Sequence, residues 1–277
     1  MDQDQRYERQ LAISEWERLY FQQSSSGVTT SEPWAVDTKK RIPERYEKRL
    51  IDLLDRFVFY TQTLILNSST QHDTEQRMLT TARVFDDRVQ EIADLKQLRY
   101  EQNRFLLEQS TAKQRLISFG QGGLTGLGGP MLLAADLPLM LAINLRTVQL
   151  SAMSFGYDLR HPAEMMIALK AFHTATLPRK LQHAAWIELQ HEKERLATSF
   201  PLFYDGEEEV ITTEWLQQPL RQIGKLAIIT MLRKKMVQGI PVAGIFLGAM
   251  SNYQFSRQVS EISAHYYEKR YLEDMAD

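Results

Sequence analysis

The chain has 277 residues, 43% hydrophobic and 25% charged, with a formal net charge of −2. That length can bury a sizeable core, and the near-neutral balance argues against a general nucleic-acid binder, which carries a strong basic excess. With no cysteine present, disulfides, thiol catalysis and zinc–thiolate sites are excluded together.

The start, Met1-Asp-Gln-Asp-Gln, lacks the basic and apolar regions of a secretory signal, so a cytoplasmic location is expected. Over residues 4–22, Tyr7, Leu11, Ala12, Trp16, Leu19 and Tyr20 recur at helical spacing and predict an amphipathic helix. Residues 24–42 read as a Ser/Thr/Pro-containing linker ending in Lys39-Lys40-Arg41. The organisation expected is therefore an N-terminal helix and linker over 1–41 and a helical domain over 42–277.

Pro43 opens a predicted helix to about Leu66, with Tyr46, Leu50, Leu53, Leu54, Phe57 and Val58 toward a core. Residues 67–73 read as a polar break. From Thr74 to Ser118 the chain is charge-rich and free of Gly and Pro, which predicts one long helix or two. Its charges, from Asp86 to Lys96, read as a solvated face. After the central stretch, Pro162 and Pro178 each start a helix, the second running to about Ala197. Residues 199–213 read as a loop with the acidic run Glu207-Glu208-Glu209. A helix from Thr213, with Pro219 placed to kink it, ends in Arg233-Lys234-Lys235, and a last helix follows Gly239-Ile240-Pro241 and runs to Leu272. No period-two alternation persists anywhere, so the fold class is all-α: a multi-helix bundle.

The bundle is expected to be organised around residues 119–158, a central Gly-rich apolar helical hairpin. Six of the thirteen glycines fall between Gly120 and Gly129. A phosphate-cradling loop fails on spacing, because Gly129 leads into Pro130-Met131 rather than a Lys-Ser/Thr pair, and Thr125 stands where a dinucleotide fingerprint needs its third glycine. Close helix approach fits better: Ser118, Gly122, Gly126 and Gly129 share one helix face. Asp136 then caps a second helix with Leu137 and Pro138 in its first turn, and Gly156 ends it as a left-handed C-cap.

The Gly-rich segment, Ala134-Ala135-Asp136-Leu137-Pro138, Leu145-Arg146 and Phe155-Gly156-Tyr157-Asp158 resemble the EcsC family of bacterial proteins. So do Gly239-Ile-Pro-Val-Ala-Gly244 and Ser251-Asn252-Tyr253, and the resemblance runs from about Ile42 to Leu272. It implies association with an ABC-type exporter and no established reaction.

Candidate chemistry is sparse. Glu188 and His191 form a Glu-x-x-His pair, but a di-iron bundle needs a second copy, and Glu261 and His265 are four apart rather than three. Ser154, in Ala152-Met-Ser154-Phe-Gly156, follows an apolar helix rather than the strand a nucleophile elbow needs, so it reads as a small packing residue. No catalytic residue, metal site or cofactor is expected. Asp136 is either an N-cap or a carboxylate held in apolar surroundings with a raised pKa; Arg146 can anchor a lipid phosphate or a core carboxylate. These two are the candidate ligand-binding residues. The candidate helix-packing residues are Gly122, Gly126 and Gly129 on one helix, and Gly244, Gly248 and Asn252 on the last.

Three functions are compatible with this pattern: a non-enzymatic accessory protein at the cytoplasmic face of the membrane, partnered by lipid or a membrane protein such as an ABC transporter; a lipid-binding or lipid-active protein using Asp136 and Arg146; and a soluble helical interaction domain. Leu124–Leu145 is long enough to span a bilayer. Asp136, Asn144, two prolines and the glycines weigh against insertion, and the expected attachment is peripheral.

Overall fold

Two buried polar pairs fix the arrangement of the core. Asn144 accepts a 2.7 Å hydrogen bond from the Ser256 hydroxyl, and Ser151 and Ser263 share one of 3.0 Å. Both pairs are 112 residues apart in sequence, so the two helices run parallel and meet at a seven-residue repeat. The coordinates are a computed structural model, which describes residues 3–25, 51–58, 60–61, 68–126, 137–192, 220–225, 227–228 and 244–275.

Seven α-helices with named bounds carry the architecture: α1 (Gln3–Ser25), α2 (Ser68–Ala82), α3 (Tyr100–Gly126), α4 (Leu137–Ser154), α5 (Pro162–Thr176), α6 (Arg179–Gln190) and α7 (Gly244–Asp274). A 3₁₀ turn spans Ile92–Gln97, and the described parts of 51–61 and 220–228 are also helical. No strand occurs among the described residues, so the all-α bundle expected from sequence is what forms.

α3, α4 and α7 form the centre. α3 runs antiparallel to α7: Tyr100 bonds Glu268 near one end, and the rings of Phe119 and Tyr253 meet edge to face at 6.3 Å near the other. α4 lies between its neighbours with all but Leu139 and Ile143 of its residues buried. Its polar side chains tolerate this because they bond their own helix or a neighbour. Asn144 donates to Met140 O, Thr147 to Ile143 O, Ser151 to Thr147 O and Ser154 to Leu150 O. The described part of the apolar run, Leu137–Leu145, is thus core of the bundle, and no helix among the described residues is long and apolar enough to cross a membrane.

The end of α4 matches its expected cap in detail. Gly156 has φ +80°, its N–H donates to Met153 O at 2.9 Å, and Tyr157 N–H reaches back to Ala152 O at 3.2 Å. This is a Schellman motif with Gly156 at C′. Its start agrees as well, with Leu137 and Pro138 in the first turn; Asp136 itself lies outside the described residues. Pro162 opens α5 as expected, and Leu53, Leu54, Phe57 and Val58 are buried.

Two expectations, at 67–73 and on α1, need correction. Over 74–118, where one long helix or two was expected, two form, separated by a turn and the 3₁₀ segment, although the stretch contains no Gly or Pro. Asp86 accepts from the Arg88 backbone, Asp94 accepts from the N–H groups of Gln90 and Glu91, and Val89, Ile92, Leu95 and Leu98 plug inward. That period of three belongs to a 3₁₀ turn. The polar break predicted at 67–73 is largely helix, because α2 begins at Ser68. On α1 the inward stripe is Ile13, Trp16, Glu17, Tyr20 and Phe21, while Tyr7, Leu11 and Leu19 face solvent.

Candidate functional site

α1 is fastened across the bundle by polar groups rather than by apolar bulk alone. Glu17 accepts hydrogen bonds from Trp186 Nε1 at 3.1 Å and Gln190 Nε2 at 3.3 Å, and it pairs with Lys269 at 2.7 Å. Trp16 donates to Glu261 at 2.9 Å and stacks on His265, the rings 3.9 Å apart and 5° from parallel. His265 Nδ1 is committed to Glu261 O at 2.8 Å, which leaves Nε2 available.

Between α1, α3 and α7 this arrangement leaves a cleft of about 640 Å³. α1 contributes Arg9 and Ile13; α3 contributes Arg104, Leu107, Glu108 and Arg115; α7 contributes Arg257, Glu261, His265 and Glu268. The charges divide along its length. At the α3 N-terminal end the carboxylates are engaged: Arg104 pairs with Glu108 at 2.9 Å, Glu268 accepts from the Tyr100 hydroxyl, and Arg9 lies 5.2 Å from the centre of the Tyr100 ring. Burial and the neighbouring Glu268 push the Tyr100 hydroxyl well above its ordinary pKa, so it remains a donor.

At the other end the balance is different. Arg115 lies one turn before Phe119 on α3, and Arg257 one turn after Tyr253 on α7. The antiparallel pairing therefore brings the two arginines level, both lining the cleft. Neither is paired with a carboxylate among the described residues. No acidic residue occurs in 109–126 of α3 or 244–260 of α7, so beyond the cleft this end of the pair carries only positive charge. On the outer side of α3, Lys113, Leu116, Ile117 and Gly120 form one exposed face, beside a partly exposed Phe119.

The candidate residues read from sequence lie mainly elsewhere. Arg146 is buried within α4 and donates to Gln149 Oε1 at 3.0 Å; burial pulls its pKa down to about 10. It is not in the cleft. Gly122 and Gly126 fall within α3, and Gly244 and Gly248 within α7, but their surroundings, together with Gly129, lie outside the described residues. The described ends of the two small-residue faces are Ser118 and Asn252. Both are buried, one residue away from the Phe119–Tyr253 contact. Ser154 is buried with its hydroxyl on Leu150 O, and Glu188 and His191 sit on the exposed side and end of α6. No group of three or more potential metal ligands occurs among the described residues.

Sequence reading passed over the cleft because its walls come from three helices about ninety or more positions apart. A signal was nevertheless present: residues 109–135 and 215–260 are two long runs without Asp or Glu, in a chain with 35 of them.

A second charged cluster is structural. Arg270 makes a bidentate bond to Glu164, 2.6 Å on each side, with its guanidinium 4.1 Å from the centre of the Tyr157 ring. Tyr157 in turn donates to Asp274 at 3.0 Å. Burial pulls the Arg270 pKa down, but the Glu164 carboxylate more than offsets it, so the net shift is upward. The cluster locks the C-terminal end of α7 to the first turn of α5, where the helix dipole also favours Glu164.

This chain is similar at low identity to two Bacillus subtilis proteins. The Bacillus subtilis (strain 168) protein named Uncharacterized protein YdbA is 25% identical over 242 residues, covering 83% of this chain and 80% of that protein. Protein EcsC of the same organism is 24% identical over 172 residues, covering 60% of this chain and 64% of its own length. No solved structure matches. The family match begins inside α1, well before position 42: the model of the EcsC protein family matches residues 8–272, and the chain belongs to that family.

Proposed function

We propose that this EcsC-family protein is a non-enzymatic accessory protein that attaches peripherally to the cytoplasmic face of the membrane through the acid-free end of the α3–α7 pair. The observation that carries the reading is the exposed face of Lys113, Leu116 and Ile117 on a helix end without acidic residues. Apolar side chains beside basic ones suit a surface of anionic lipid, where the first enter the interface and the second are drawn by its negative potential. A membrane-protein partner, of the ABC-exporter kind that the resemblance implies, would be met at the same surface.

Two features favour this over a membrane-spanning hairpin. α4 is occupied in the core, so its apolar residues have no lipid to meet. Its Arg146 bonds Gln149 within the bundle. The burial of α4 also suits a soluble helical interaction domain, and the test separates the two readings.

In vesicle co-sedimentation the protein should bind phosphatidylglycerol-containing vesicles and ignore phosphatidylcholine alone. Leu116→Glu and Lys113→Glu should each weaken binding without altering the melting temperature, since both positions are exposed. Absence of binding to anionic vesicles at low salt would sink the membrane reading and leave the interaction domain.

A further inference from the structure

We infer that the cleft between α1, α3 and α7 binds an organic phosphate, held by Arg115 and Arg257 with the apolar floor taking part of its organic moiety. The inference does not rest on membrane docking.

Its first ground is an unrelieved pair of like charges. Arg115 and Arg257 line one end of the cleft at the same level of two antiparallel helices, and no carboxylate answers either among the described residues. Every other charged wall group is engaged. Glu108 holds Arg104, Glu261 accepts from Trp16, Glu268 accepts from Tyr100, and Arg9 lies by the Tyr100 ring. Glu261 and Glu268 keep their negative charge, since their partners are neutral, but the walls carry four arginines against three glutamates, and Arg115 and Arg257 are the two with neither a carboxylate nor a ring contact among the described residues.

The second ground is chemical fit. A guanidinium presents paired N–H donors that match phosphate oxygens, and two facing arginines can neutralise a phosphate monoester dianion. His265, its ring held by the stack on Trp16 and its Nδ1–H by Glu261 O, presents Nε2 on the same wall as Arg257 as an acceptor for a hydroxyl of the organic moiety. Ile13, Leu107 and Ala264 supply an apolar floor. A volume of about 640 Å³ lies within the range of small-ligand pockets, well beyond what a bare phosphate ion fills. The same chemistry is offered by a soluble phosphate ester and by a lipid head group.

Isothermal titration of the full chain with glycerol 3-phosphate, and separately with monomeric dihexanoyl phosphatidic acid, tests the assignment and distinguishes the sources. Saturable one-to-one binding of at least one probe is expected, weakened at least ten-fold by Arg115→Gln and by Arg257→Gln. Arg18→Gln, which breaks only exposed contacts with Glu15 and Gln22 on α1, should leave it unchanged. Binding of glycerol 3-phosphate alone identifies a soluble ester, of phosphatidic acid alone a lipid, and of both the shared phosphate as the recognised group. Circular dichroism shows which variants are folded, and either glutamine variant suffices. No saturable binding of either probe, or affinity unchanged in the folded glutamine variants, overturns the inference. Neither probe forms a bilayer, so failure of vesicle docking leaves these titrations unaffected.

Discussion

Gly156→Ala and Gly120→Ala are the same chemical change with opposite expected signs. At Gly156 the backbone sits at φ +80°, a region that costs an L-residue about 1–2 kcal/mol. A Cβ there would also lie 2.5 Å from Lys96 Cγ and 2.8 Å from Lys96 N. The side chain can swing aside, but the backbone nitrogen cannot move alone. The 3₁₀ turn that carries it is tied down by Asn103 Nδ2 on Leu95 O at 2.9 Å, and the Tyr271 hydroxyl holds the adjoining Leu98 O at 3.1 Å. Overpacking of this kind adds about 1–3 kcal/mol. The sum is about 2–5 kcal/mol, or a fall of roughly 10 °C in melting temperature for a chain of this size. At Gly120, on an exposed part of α3, an added Cβ meets nothing within 4 Å. Alanine should gain about 0.5–1 kcal/mol from helix propensity, a rise of roughly 2 °C. Thermal melts followed by circular dichroism read both. Adding Lys96→Ala to Gly156→Ala removes the flexible contact, together with the Lys96 ammonium 4.6 Å from the Tyr157 ring centre, and should restore little. A Gly156→Ala protein that melts like the parent, or one fully rescued by Lys96→Ala, would refute the backbone-collision argument.

Three further predictions address the core. Glu164→Gln leaves the buried Arg270 guanidinium without its bidentate partner and should cost about 3 kcal/mol, seen as a lowered urea midpoint. Gly126→Leu and Gly248→Leu should each destabilise by about 1–3 kcal/mol through overpacking where α3 and α7 extend beyond the buried Ser118 and Asn252; parental melting in either would show that the faces do not meet. His173 has its pKa lowered from 6.5 by burial. The unfolded chain takes up a proton that the folded one refuses, so stability is whole above pH 6.5 and falls as the pH drops through that value toward the lower folded pKa. His173→Gln should flatten this acid slope in melts between about pH 7 and 5, relative to a titration near the unperturbed value.

The parts of the fold legible in sequence are those governed by local chemistry. Leu137-Pro138 and Gly156 bound α4, and Pro162 starts α5, because first-turn prolines and a left-handed glycine act on their own few residues. Whether 74–118 forms one helix or two stayed open in sequence because the break at 83–99 uses no helix breaker. Local Asp86 and Asp94 bonds and the three-residue spacing of Val89, Ile92, Leu95 and Leu98 make it, and a search for period three would have found it. The inner face of α1 was misread for the opposite reason. Glu17 looks like a solvent residue until Trp186 and Lys269 arrive from helices far along the chain. The cleft shares that difficulty, since Arg115 and Arg257 become neighbours only through the antiparallel α3–α7 pairing.

With α4 used up in the core, the membrane affinity proposed for the acid-free end of the α3–α7 pair has a size that can be worked out. Leu116 is 70% exposed, Ile117 43% and Phe119 43%. Burying such side chains fully gains about 1.5–3 kcal/mol each, so the exposed fractions supply about 3 kcal/mol in all. Lys113, Arg115 and Arg257 add about 1 kcal/mol each against anionic lipid. The total, about 6 kcal/mol, is comparable to the hold of one myristoyl chain, which is reversible. Half of it is electrostatic and is screened when the Debye length shrinks from 10 Å at 0.1 M salt to 3 Å at 1 M. Raising the salt to 1 M should therefore weaken partitioning onto anionic vesicles by about 100-fold, since each 1.36 kcal/mol is a factor of ten. Alkaline carbonate should release the remainder. Retention through both washes would mean that a segment is inserted across the bilayer, and partitioning indifferent to salt would mean that the acid-free end of α3 and α7 is not what meets the lipid.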